Sequence, residues 1–213
     1  MKKAIDKIYG NLKMSWLGVI IFAVVAGVYT GAVLLIPALK DTSFTDIGTY
    51  VEWWVIFAVI IVTNCKKNYE AMLKCFVFFL ISQPLVYAVE IIFGPLTLDM
   101  AWQYYRNMWL PATIMTLPGG LIAYYCKKQN ALGAVILGIG NSFQILTGVS
   151  YIVKTVNDFP HHILSAIVCF ASIFIMSFGI QKEKKNRLIS ILIPVVLLVI
   201  ALVFMKLTGR VIA

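Results

Sequence analysis

The sequence predicts an all-α fold, a polytopic transmembrane helical bundle of about seven spans with its N-terminus cytoplasmic and its C-terminus external. Three observations predict it. Hydrophobic residues make up 61% of the 213 and charged residues only 13%, against about 45–50% and about 25% in soluble domains. Apolar stretches close to the length needed to cross a bilayer recur along the whole chain. Basic residues crowd into every second connection. Mean hydropathy is +0.91, which excludes a soluble globular enzyme, a disordered chain and a disulfide scaffold.

The N-terminal arm MKKAIDKIYGNLK is basic, and the apolar run after it reaches from Met14 to Leu39. That run is longer than a signal-peptide core of about 7–15 residues, so it reads as a retained first span over about 15–38. The second span, about 50–64, is short and opens on Trp53 and Trp54. The remaining spans cover about 75–93, 107–125, 131–153, 160–180 and 188–205. The connections leave no room for a soluble domain, so 1–213 reads as a single integral membrane domain. The alternating pattern of a transmembrane barrel is absent, and helices satisfy the backbone instead.

Charge sets the orientation. Lys2, Lys3, Lys7, Lys13, Lys66, Lys67, Lys74, Lys127, Lys128, Lys182, Lys184, Lys185 and Arg187 fall on one side; Lys40, Arg106, Lys154, Lys206 and Arg210 fall on the other. Thirteen against five over short loops places the first side in the cytoplasm. The formal net charge of +9 is explained by this bias, with no basic patch of the kind that binds nucleic acid. A faint repeat accompanies it: Cys65-Lys66-Lys67-Asn68 matches Cys126-Lys127-Lys128-Gln129 at an offset of 61, and Gln83 matches Gln144 at the same offset.

Glu90 is the most informative single residue. It stands fifteen residues past Cys75, about 22 Å along a helix, where a carboxylate is costly and therefore a functional candidate. Gln83, Tyr87, Glu90 and Gly94 share one helical stripe. Arg106 opens the next span and could pair with Glu90. Asn141, Gln144, Gly148 and Tyr151 form a second polar stripe, which serves either as glue between helices or as a lining for solute. Pro111, Pro118, Gly119 and Gly120, with Thr113 and Thr116 between them, predict a kinked or broken helix. Ala23, Gly27 and Gly31 form a small-residue stripe for close packing within the bundle or against a partner; Ala134, Gly138 and Ser142 repeat it.

Asp158, His161 and His162 are too few for a zinc site, and no metal or cofactor is expected. P-loop and GxSxG motifs are absent. The Trp- and Tyr-rich external segments, with Tyr50, Trp53, Trp54, Trp102, Tyr104, Tyr105 and Trp109, read as an interfacial belt.

In its basic bundle, cytoplasmic start and small-residue first span, the chain resembles the substrate-binding subunits of energy-coupling-factor vitamin importers. The resemblance is architectural and carries no shared motif; seven spans in place of six is a departure. It implies solute capture and an ATPase partner. The expected function is a small-solute transporter or the substrate-binding membrane subunit of one, with Glu90, Gln83, Tyr87, Arg106, Asn141 and Gln144 lining an outward-facing polar cavity. The alternatives are a non-transport membrane partner (an immunity, assembly or signalling subunit) and, third, an intramembrane enzyme using Glu90 with His161 or His162. The expected partners are the lipid bilayer, a small-molecule solute and a membrane or ATPase subunit, with no nucleic acid. The expected location is the cell membrane, multi-pass, of a bacterium.

Overall fold

A computed structural model describes residues 2–157 and 159–208. Its helices are α1 (Lys2–Ile8), α2 (Trp16–Leu34), α3 (Ser43–Thr49), α4 (Val51–Thr63), α5 (Asn68–Phe93), α6 (Leu98–Tyr104), α7 (Leu110–Ala123), α8 (Ala131–Asn157), α9 (Ile163–Ile180) and α10 (Lys184–Thr208). No strand occurs among the described residues. Five helices are long and apolar enough to cross a membrane: α2, α5, α8, α9 and α10. The chain is a multi-pass helical membrane protein. α4 is apolar but only 13 residues long, about 20 Å at the usual rise.

The expected fourth span has a local device that sequence alone did not show. Residues 98–123 are helical throughout, with one π-turn over Tyr105–Trp109. Within it the Leu110 N–H donates to the Tyr105 carbonyl, five residues back. Pro111 follows at once; it has no N–H to donate, and its ring would crowd the carbonyl four residues earlier. The widened turn makes room for it, so the proline is absorbed by a π-turn and the helix is not broken.

The chain forms two compact units. In the first, residues 11–124, α2, α4 and α7 all pack on α5. Ser15 opens α2 by accepting the Gly18 N–H at 3.1 Å. Glu70 closes the start of α5 by accepting the backbone N–H groups of Lys66 at 2.8 Å and Lys67 at 3.4 Å. Lys74, one turn further, is buried; its Nζ donates to Glu70 and to the Met14 carbonyl and lies 5.5 Å from the centre of the Trp16 ring. The small-residue stripe of α2 meets α5 directly. A Cβ on Gly27 would stand 2.5 Å from the Ser82 carbonyl oxygen, and one on Gly31 would stand 2.7 Å from Val89 Cβ. A Cβ on Gly120 of α7 would lie 3.0 Å from Met72 Cα. Only bare backbone allows these approaches.

In the second unit, α1 joins the chain from Tyr125 onward, and α9 and α10 pack on α8. Asn130 Oδ1 caps α8 by accepting the Gly133 N–H at 2.9 Å. The turns at one end are clasped by two amides. Gln181 Nε2 donates to the Cys126 carbonyl at 2.6 Å, and Gln129 Nε2 donates to the Ile180 carbonyl at 2.9 Å. Lys182 and Asp6 pair at 2.7 Å, tying α1 to the end of α9. Gly138 lies against Ile193 of α10, and Gly148 against Phe170 of α9. α5 and α8 are thus the central helices of their units, and Gln83 and Gln144, the pair separated by 61 residues, are both buried.

Candidate functional site

α4 buries two faces: Glu52, Val59 and Thr63 stand at i, i+7 and i+11 on one, and Trp54 and Ile61 on the other. Glu52 is 1% exposed and Trp54 2%. A carboxylate so deeply buried on an apolar helix is costly and is kept for a reason beyond packing. Trp54 is the hub of this region. Its ring centre lies 5.5 Å from Phe79 and 5.8 Å from Phe78 on α5, and 5.9 Å from Trp109 at the end of the π-turn.

Two orphaned polar atoms sit around that hub. Gln83 is one turn beyond Phe79 on α5, and Thr113 one turn beyond Trp109 on α7. Gln83 Nε2 and Thr113 Oγ1 are buried with no hydrogen-bond partner. Ser82 Oγ, also orphaned, lies on the neighbouring face of α5, whose carbonyl meets Gly27. Native interiors leave few polar groups unpaired, and each costs about 1–3 kcal/mol. Two such atoms, each one turn from a ring that touches Trp54, make the inside of this unit polar where a packed apolar core would be cheaper.

The other expected site residues are distributed as follows. Tyr87 meets Tyr105 edge-on at 6.5 Å and forms part of a groove of about 390 Å³ walled by Pro84, Ile91, Trp102 and Tyr105. Glu90 is half-buried in the last turns of α5, and its carboxylate forms no hydrogen bond or ion pair among the described residues. Arg106 is exposed in the π-turn; its Nε donates to Asn107 at 3.3 Å, and it does not pair with Glu90. Asn141 and Gln144 belong to the second unit. Gln144 accepts from Ser172 of α9 at 3.1 Å.

Asn141 has a defined structural task. Pro194 in α10 has no N–H for the carbonyl of Ser190, four residues back. Asn141 Nδ2 supplies the missing donor at 3.1 Å and also donates to Ser177 of α9 at 3.1 Å. One amide therefore binds three helices together.

The sequence marks Thr113 only as part of the proline-rich span, and neither Glu52 nor the depth of Trp54 stands out in it. Trp54 reads in the sequence as part of the interfacial belt; it and Glu52 are both buried. A signal was present, since Glu52 and Thr63 are eleven residues apart and so share a helix face. Asp158 lies outside the described residues. The His162 ring stacks on Tyr151 at 5.8 Å, and the described residues contain no group of three metal-ligating side chains.

No family model, curated protein or solved structure matches the chain. The fold and the polar interior therefore define its class by themselves: a multi-pass helical membrane protein with unpaired polar atoms buried in both of its units, Ser82, Gln83 and Thr113 in the first and Asn141, Thr155 and Gln181 in the second.

Proposed function

We propose that the protein is a small-solute transporter, or the solute-binding membrane subunit of one, and that solute is held inside the first unit around Gln83 and Thr113, beside the Tyr87–Glu90 stripe. The observation that carries the reading is the pair of orphaned atoms, Gln83 Nε2 and Thr113 Oγ1, one turn from the rings against Trp54. Unpaired polar groups at membrane depth are tolerated where they line a site for water, ion or solute.

The proposal includes seven crossings with the N-terminus in the cytoplasm. The alternating lysines support the orientation, and the unbroken helix over residues 98–123 supports a crossing there. Cytoplasmic-reporter fusions at Lys67, Lys128 and Lys185 are expected to be active, and fusions at Asp46, Asp99 and the C-terminus silent. A C-terminal fusion that reports cytoplasm would remove one crossing, the short α4 first.

The site itself is tested by filling it with apolar isosteres. In the Gln83→Leu/Thr113→Val double variant the orphaned groups are gone, so the solute-free protein should unfold about 4–24 °C higher than wild type. It should also lose the stabilisation that its solute gives wild type in a thermal screen of amines, amino acids, sugars and salts. A double variant that is less stable than wild type yet keeps a solute response would place the site elsewhere.

A further inference from the structure

We propose that the pocket where α2 and α5 begin holds the headgroup of an anionic phospholipid, its phosphate at Lys66 and Lys67 and its glycerol and upper acyl chain against Trp16, Tyr69 and Leu73. Shape, charge and depth in the membrane carry this.

The shape comes from bonds within the first unit. Gly27 of α2 meets Ser82 of α5, and Gly31 meets Val86 and Val89, so the two helices run in the same direction and start at one end. There the chain before α2 is tied to the turn before α5. The Leu12 N–H donates to Asn64 Oδ1 at 2.7 Å, and Lys74 Nζ donates to the Met14 carbonyl. Tyr124 Oη donates to the Lys66 carbonyl at 2.6 Å. Between these segments lies a pocket of about 290 Å³, lined by Trp16, Lys66, Lys67, Tyr69, Glu70 and Leu73. Ligand pockets start near about 300 Å³, so this one suits a headgroup and not a whole lipid.

The charge is positive and largely unmatched. Glu70 is the one acid in the lining, and it is occupied. Its Oε2 accepts the backbone N–H groups of Lys66 and Lys67, and its Oε1 pairs with buried Lys74. Lys66 and Lys67 are exposed, and neither forms an ion pair among the described residues. Glu70 acts on Lys67 only at longer range. Lys67 Nζ stands 5.4 Å from the centre of the Tyr69 ring, which holds it at the pocket wall. A phosphodiester supplies the anion that these two ammonium groups lack.

The depth matches a lipid. Trp16 is the first residue of α2 and Tyr69 the second of α5, and both are exposed. Such rings at the ends of membrane helices lie at headgroup level. Leu73, one turn into α5, is exposed on the apolar side. A ligand here meets charge at one end and hydrocarbon at the other, which is how a phospholipid is divided; basic pockets at helix ends hold anionic headgroups.

The test uses the full-length protein in detergent and phospholipids brominated on their acyl chains, which quench tryptophan on contact. Brominated phosphatidylglycerol is expected to give a saturable quench beyond that of brominated phosphatidylcholine. The extra quench should vanish in Trp16→Phe, which removes the reporter and keeps a ring; the other four tryptophans lie on α4, α6 and the π-turn. The Kd for phosphatidylglycerol should weaken about 30-fold in Lys66→Gln/Lys67→Gln, the effect of losing two lysines beside a charged headgroup. It should recover in Lys66→Arg/Lys67→Arg. Lys184→Gln/Lys185→Gln removes the same charge from the exposed start of α10 and should bind like wild type. Equal quenching by the two lipids, an extra quench that persists in Trp16→Phe, or equal losses in the two glutamine variants overturns the site. Displacement of phosphatidylglycerol by inorganic phosphate at the same concentration would make the ligand a free phosphate and overturn the lipid assignment.

Discussion

Gly27→Leu is expected to abolish the folded protein. A single Cβ at this position already reaches 2.5 Å from the Ser82 carbonyl oxygen and 2.9 Å from Leu85 Cβ, and the first of these is backbone, which cannot swing aside. Overpacking of a core costs about 1–3 kcal/mol when side chains can adjust, and more when a main chain must move. Leucine adds three carbons beyond that Cβ. The α2–α5 interface is the most extensive helix pairing in its unit, so its loss leaves the unit without its main contact. Size-exclusion profiles of detergent-purified protein check this: wild type should elute as one species and Gly27→Leu as aggregate. A folded variant that has merely lost a partner or a dimer would mean that the glycines face outward. A folded and fully associated one would make them incidental.

Asn141→Leu should lower stability by about 1–3 kcal/mol by stranding the Ser190 carbonyl in a buried three-helix junction, or about 2–12 °C in unfolding temperature for a chain of this size. The cause can be isolated with a double-mutant cycle. Pro194→Ala restores the N–H that proline lacks, and α10 can then bond the Ser190 carbonyl itself. In that background Asn141→Leu should cost markedly less, because only the contact to Ser177 Oγ remains to be lost. Equal costs in both backgrounds would show that the amide does not act through the proline.

The helices were legible because bilayer length and apolar composition leave few alternatives. Each of the seven apolar stretches is helical in its core, and the ends fall within four residues of the expected ones, except that the helix of the third starts at Asn68 against 75 and that of the fourth at Leu98 against 107. The π-turn before Pro111 was not legible, since a proline read alone predicts a break or kink and only the neighbouring turn decides which. Gln83, on the polar stripe of α5, is buried. The stripe pattern could not show that Asn141 is occupied by a carbonyl 49 residues away, because the need arises from Pro194 on another helix. Glu52 stands at the start of a span, where an acid reads as part of the loop. Its face along α4, shared with Thr63, is what turns it inward.

An experimental structure of the full-length protein in lipid, at a resolution that shows ordered water, tests the central claim most directly. The account predicts density for an ion, a solute or bound water within hydrogen-bonding distance of Gln83 Nε2 and Thr113 Oγ1, in the region bounded by Trp54 and Trp109. Side chains closed on one another there, with no density between them and the two atoms bonded to neighbouring helices, would contradict it.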